Sequence, residues 1–403
     1  MRLLKIKYIW VITTLVLAIG YFVSCTKDDQ VLDTPASQAI NSATDLVAVK
    51  TATAPTLDGT IDAMWANSTK LEFTSVVPEV TDDIYRGFVG NIYKGTLRSA
   101  YDADNIYFLV EWNDPTKSLS RLPWYFDPAT QRWAQEIADP IFSATGTITR
   151  GAFYEDQFAM LWDINKSVNG WSNATCYKSC HTGLPAAEGS GRHYTNSPTE
   201  RIDNWHWKAV RGGTNGGFQT DDQYITNIYP NGRRGDPGNQ AYSDNKQNLV
   251  IAGSSPAVTV TVPTYVIPGR TNNYWVLATE VTAGTAKLVT AVAANGVLTL
   301  SDATTIDPNV GTDYQRVGLG HGARAIAGII ISSFSGSRGD ISANAIHTGS
   351  GWILEFKRAL KTADTVNDID LSSLADQYFG CSVFDNVDAA HAIKANLVLK
   401  FKK

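Results

Sequence analysis

Residues 106–112 read Ile106-Tyr107-Phe108-Leu109-Val110-Glu111-Trp112, and this stretch decides the fold. All but Glu111 are aromatic or aliphatic, and turn chemistry encloses them. Asp102-Ala103-Asp104-Asn105 precedes the run and Asn113-Asp114-Pro115 follows it. A short run of β-branched and aromatic residues between Asp, Asn and Pro reads as a strand. The same grammar recurs outward at 158–164 (FAMLWDI), 352–356 (WILEF), 378–384 (YFGCSVF) and 397–401 (LVLKF). Helical periodicity is sustained almost nowhere, and Asn295-Gly296 between two apolar runs is a hairpin signal. Many short strands with frequent turns predict an all-β chain, a β-sandwich that closes its core between two sheets.

Between about 225 and 325 the composition turns to Gly, Thr, Ala and Asn, with weakly alternating runs at 274–279 and 286–300. This predicts a long inserted loop or small β-element within a domain spanning 45–403. An independent second domain is the alternative.

The N-terminus has the order of a signal peptide over residues 1–24. Arg2, Lys5 and Lys7 come first, then an apolar run from Tyr8 to Val23, then Ser24. Phe22-Val23-Ser24-Cys25 resembles a lipobox, with Phe22 where Leu is usual, and predicts lipidation at Cys25. An uncleaved transmembrane helix would need about 20 apolar residues; this run is shorter, and polar Thr26-Lys27-Asp28-Asp29-Gln30 follows at once. Residues 25–44 hold little to bury and should be a flexible tether. The expected location is the cell envelope, lipid-anchored, with the outer membrane favoured and its periplasmic and cell-surface sides both open.

A net charge of -5 and the lack of any Lys/Arg run make nucleic acid an unfavourable partner. There is no Gly-x-Ser-x-Gly elbow, phosphate-cradling loop or H-E-x-x-H helix, so no enzyme is expected. Glu155-Asp156 and Asp221-Asp222 could in principle be catalytic carboxylates or a calcium site, but read more simply as turns or solvated edges.

The informative segment is Cys176-Tyr177-Lys178-Ser179-Cys180-His181. Haem c attachment uses C-x-x-C-H, in which two thiols add to the porphyrin vinyls and the imidazole ligates iron. One extra residue separates the cysteines here. A tight Cys176–Cys180 disulfide is the competing reading, and zinc stands behind both because there is a single Cys-rich cluster. Either main reading leaves Cys381 as a buried thiol in an apolar strand.

If haem c is bound, His181 is the proximal ligand and the distal ligand must be found elsewhere. Methionine is scarce, and Met160 shares a strand face with Phe158, Trp162 and Ile164, which marks it as core. His193 and His206 are the distal candidates because both follow the motif closely; His391 comes much later. In Trp205-His206-Trp207 an extended backbone sends the two indoles to one face and His206 to the other. His321 and His347 are expected at the surface.

Read together, several stretches resemble a known family, the haem-binding domain related to the gamma subunits of ethylbenzene dehydrogenase and dimethyl-sulfide dehydrogenase. They are Asp58-Gly59-Thr60-Ile61-Asp62-Ala63-Met64-Trp65, residues 106–115, residues 154–163 (YEDQFAMLWD), residues 203–209 (DNWHWKA), residues 336–341 (GSRGDI) and Phe384-Asp385-Asn386. The resemblance implies a sandwich holding one haem that passes electrons in a respiratory or redox chain. Its partners would be redox proteins, such as a molybdenum oxidoreductase or other cytochromes. The Met/Lys ligand pair of the gamma subunits has no matched position here. The 58–65 stretch also resembles the start of family-nine carbohydrate-binding modules, which share the sandwich. That keeps a second reading open: a non-catalytic glycan-binding lipoprotein with a Cys176–Cys180 disulfide, in which exposed Trp124, Tyr125, Trp133 and Trp171 would stack on sugars.

Overall fold

Period-two alternation and β-branched composition are realised in twelve strands of one continuous sheet. These are β1 (Asp45–Lys50), β2 (Leu71–Val76), β3 (Ile92–Tyr101), β4 (Asn105–Asn113), β5 (Gln157–Asp163) and β6 (Ile202–Lys208). They are followed by β7 (Thr220–Ile225), β8 (Arg233–Gly235), β9 (Ser342–His347), β10 (Gly351–Ala359), β11 (Gln377–Phe384) and β12 (Ala392–Lys402). This computed structural model describes residues 40–78, 85–179, 193–212, 218–229, 231–271 and 274–403. Residues 1–39, the expected signal peptide and most of the expected tether with Cys25, lie outside the described residues, as do Cys180 and His181.

The strands are ordered β8-β7-β6-β5-β11-β12-β1-β3-β4-β10-β9, with β2 pairing both β3 and β12. The run at 106–112 forms β4, held antiparallel between β3 and β10. Its start is set by Asp102, whose Oδ1 accepts the N–H groups of Asp104 at 2.8 Å and Asn105 at 2.7 Å. β1 lies parallel to both neighbours, with Asp45 opposite Val398 of β12 and Ala48 opposite Ser99 of β3.

The sheet folds over so that its two halves face each other as a β-sandwich. Phe108 of β4 stands 6.0 Å from Trp162 of β5 and 5.7 Å from Trp205 of β6. Trp112 stacks on Phe158 at 5.5 Å, and Phe158 meets Phe356 of β10 at 6.1 Å. Each such ring contributes roughly 2–3 kcal/mol by burial, and the pairing geometry adds to it. Met160 is fully buried in this core, as its strand face predicts.

Residues 225–331 carry short sheets of their own, among them a hairpin of Lys287–Val292 with Leu298–Leu300 that turns at Asn295-Gly296. Their valines and leucines pack around Trp124, Phe126 and Trp133 from the hairpin Trp124–Asp127/Arg132–Gln135. Trp124 Nε1 donates to the Asn245 carbonyl at 2.9 Å and Trp133 Nε1 to the Gly296 carbonyl at 2.7 Å. Here the sequence expectation is corrected. Trp124, Tyr125, Trp133 and Trp171 are buried and offer no exposed ring to a sugar. The reason is volume: small insertion side chains leave a space that indoles fill, while Trp171 docks on β11 through the Tyr378 carbonyl.

Gly296 sits at φ +84°, and a Cβ there would lie 2.1 Å from the Phe126 ring. Gly296→Val is therefore expected to cost about 3 kcal/mol through strain and overpacking, read as a lowered urea midpoint. An unchanged midpoint would show that the hairpin and the insertion do not share a core.

Candidate functional site

On β6, alternation buries Trp205 and Trp207 in the core and turns His206 to the opposite, outer face. Register places His206 beside Ala159 of β5, and Ala159 beside Ser382 of β11. The outer faces of these three strands floor a cleft of about 40 Å³ that His193, Arg233, Phe384 and His391 also line. Phe384 lies between two imidazoles, 5.4 Å from His206 and 4.3 Å from His391. His193 bridges to Asn231 just before β8, and its carbonyl accepts the Gly232 N–H at 2.5 Å.

His206 is 4 % exposed, and neither ring nitrogen has a hydrogen-bond partner among the described residues. Burial, followed by the nearby charges of Lys208, Arg233 and Arg211, holds its pKa well below the ordinary value. The ring is therefore neutral, with a lone pair free of any donor.

Cys176 lies on the same outer face. It belongs to the turn Thr175–Lys178, anchored where Asn396 N–H donates to Thr175 Oγ1 at 3.0 Å. The turn rests on Gly380 of β11: a Cβ at Gly380 would stand 2.9 Å from Cys176 Sγ. Gly380 pairs with Leu161, so it is two strands across and two residues along from His206. Standard strand spacings make that roughly 12 Å. Cys381 points inward instead, a buried free thiol whose pKa burial raises.

His321 and His347 are half-buried, not surface residues as expected, and each has a ring nitrogen against a backbone carbonyl, Gly322 at 3.0 Å and Asp114 at 2.9 Å. The acidic pairs are also corrected, since Glu155, Asp156, Asp221 and Asp222 are all buried. Glu155 accepts the N–H groups of Val210 at 2.6 Å and Arg211 at 2.9 Å and pairs with the Arg211 guanidinium. Asp156 accepts from Ser118, Trp352 and Asn386, yet burial, then Asp114, raises it to about 8. Asp221 pairs with Lys208 and with Arg338 Nε at 2.7 Å. Although burial opposes it, those cations hold Asp221 at about 2.

The family model described as ethylbenzene dehydrogenase matches residues 62–395. The chain belongs to the ethylbenzene dehydrogenase family. No curated protein matches it. Among solved structures it is similar to a family 9 carbohydrate-binding module from Caldicellulosiruptor kristjanssonii in complex with cellotriose, at 9% identity, 89% of this chain, 93% of that chain and a TM-score of 0.27. The same type of module from that organism in complex with glucose matches at 8% identity, 89% of this chain, 95% of that chain and a TM-score of 0.27.

In this member of the ethylbenzene dehydrogenase family the segment around Asp58 is tied to the sandwich by one buried carboxylate. Glu355 of β10 accepts the N–H groups of Asp58 at 3.1 Å and Gly59 at 3.0 Å, and the Trp65 indole at 3.3 Å. Sequence reasoning set His206 on the correct face. It did not bring Phe384, Arg233 and His391 to the same cleft, because contacts between segments distant in the chain make them neighbours.

Proposed function

We propose that this chain is a lipid-anchored extracytoplasmic c-type haem protein that carries electrons and catalyses no reaction of its own. The observation that supports it most is His206, a buried neutral imidazole without a hydrogen-bond partner, on the same sheet face as Cys176. A buried polar group left without a partner costs about 1–3 kcal/mol, and an iron ligand needs this lone pair. Cys176, Cys180 and His181 would hold the haem, with His206 or His193 as the further candidate ligand. When bound, haem supplies reversible one-electron transfer.

The chain's own residues do the rest. The cleft, at about 40 Å³, has room for a water. Phe384 packs against both the His206 and the His391 rings. Lys208 and Arg338 share Asp221 and Arg211 pairs with Glu155, while Arg233 lines the cleft itself, so the cations around His206 disfavour further positive charge there. A tether of about 20 residues after Cys25 would let the domain sweep some tens of ångströms from the envelope membrane. That reach suits brief encounters with redox partners, such as a molybdenum oxidoreductase or other cytochromes.

The test is a pyridine haemochrome spectrum of full-length protein from a host competent in cytochrome c maturation, after acid-acetone extraction. Absorbance that survives extraction with a c-type band is the expected result. A colourless protein would overturn the proposal and favour a disulfide-closed sandwich that binds a ligand such as a glycan.

A further inference from the structure

We propose that this chain binds a calcium-class divalent cation among the carboxylates of Asp203, Asp222, Asp236, Asp364 and Asp368. Asp203 lies on β6, Asp222 on β7, Asp236 directly after β8, and the last two in the loop after β10. One carboxylate oxygen from each of Asp203, Asp222 and Asp368 lies within 4.8 Å of the others, and so do oxygens of Asp236, Asp364 and Asp368. Oxygens bound to one calcium at roughly 2.4 Å can be no further apart than twice that distance, so both sets meet the requirement. Asp368 belongs to both.

Proximity of acids would not be enough, and the buried oxygens supply the second observation. Asp222 is 0% exposed, and its Oδ2 has no hydrogen-bond partner among the described residues. Asp236 is 3% exposed, and neither of its oxygens has a donor. What faces it is further carboxylate, from Asp203, Asp364 and Asp368. Asp203 Oδ1 and Asp368 Oδ1 are also without donors. The cation reaching into the cluster is Arg358, whose Nη2 stands 3.4 Å from Asp203 Oδ2 and 3.1 Å from Asp368 Oδ2. Arg358 thus pairs with two of the five carboxylates, while Arg201 acts on Asp364 and Asp340 adds a further acid beside Asp222.

Glu155, just before β5, and Asp221 on β7 each have a cation against them. The Asp222 and Asp236 oxygens do not, and uncompensated buried charge is among the costliest features a fold can hold. A divalent ion resolves this. The donors are all oxygens, which selects a hard cation over zinc. Two of them sit on a loop that can adjust to the larger, irregular shell of calcium more readily than to the strict octahedron of magnesium. Such an ion would pin β6, β7 and the end of β8 to the loop after β10, across the opening between the two halves of the sandwich. This inference does not depend on haem.

The experiment uses the full chain, stripped with EDTA, dialysed, and titrated with calcium chloride, magnesium chloride or terbium chloride, the last read by tryptophan-sensitised emission. Expected results are at least one bound ion per chain, a melting temperature that rises with calcium, and magnesium binding at least tenfold weaker. Asp222→Asn and Asp236→Asn should each weaken calcium binding tenfold or more, and being isosteric they should fold. Asp114→Asn, in the separate acidic group with Asp156 and Asp385, should leave calcium binding unchanged. No bound ion and identical melting in EDTA and calcium would overturn the site. Undiminished binding in both Asp222→Asn and Asp236→Asn, or loss in Asp114→Asn alone, would place the ion elsewhere. Equal affinity for magnesium would overturn the calcium assignment.

Discussion

Asp221→Ala is expected to destabilise the protein by about 3 to 5 kcal/mol, the range for removing one partner of a buried ion pair. Lys208 is 2% exposed, and Asp221 is its ion-pair partner on the adjacent strand; Arg338 Nε and Gln223 Nε2, at 2.8 Å, use the same carboxylate. Removing it strands two cations between packed layers. Urea unfolding measures the loss, and Asp221→Leu combined with Lys208→Met should recover only part of it, because that pair removes both charges of one ion pair while Arg338 still lacks its carboxylate. If the single variant unfolds at the native midpoint, the pair contributes nothing. The same group sets a pH signature. Held at about 2 against the ordinary 3.8, Asp221 contributes stability that is present above pH 4 and is lost as pH falls towards 2, because the unfolded chain takes up the proton first. The shift corresponds to about 2 kcal/mol. Taken as the difference between native protein and Asp221→Asn, so that other carboxylates cancel, this acid limb should vanish in the variant.

Cys180→Ala is expected to abolish covalent haem while leaving the sandwich folded, and His206→Leu to convert the spectrum of the loaded protein from six-coordinate to five-coordinate. The pair separates attachment from ligation. Replacing a buried imidazole that lacks a donor by a hydrocarbon of similar size removes a desolvation cost. The haem-free His206→Leu protein should therefore melt no lower than the native one, and a change in its absorbance is not a folding artefact. A Cys180→Ala protein with full covalent absorbance would sink the thioether assignment. A lowered melting temperature with no change in the visible spectrum is what a Cys176–Cys180 disulfide predicts. An unchanged His206→Leu spectrum would move distal ligation to His193.

The strands that carry the core were legible because burial there follows local pattern: β4, β5, β10 and β11 fall within three residues of the runs at 106, 158, 352 and 378. The orientation of His206 was legible for the same reason, since two flanking indoles can share only one face. The acids were not legible. Asp221-Asp222 has the composition of a turn, and the groups that make it a buried strand, such as Arg338, lie 117 residues away. Tryptophan exposure was equally hidden, because whether Trp124 faces solvent depends on whether the insertion folds back over it. His391, just before β12, lines the cleft and stacks on Phe384, a neighbour on another strand.

The parallel seam between β1 and β12 joins Asp45 to Val398. A nascent chain must complete nearly its whole length before that seam exists, and until then the edges of β1 and β11 that β12 will cover stand open. Closure is thus the slow, high-contact-order step, and the interval before it is when edge-to-edge aggregation competes. Trimming the chain through residue 50 would make that vulnerable interval permanent, by leaving two unsatisfied strand edges where a shared one had been.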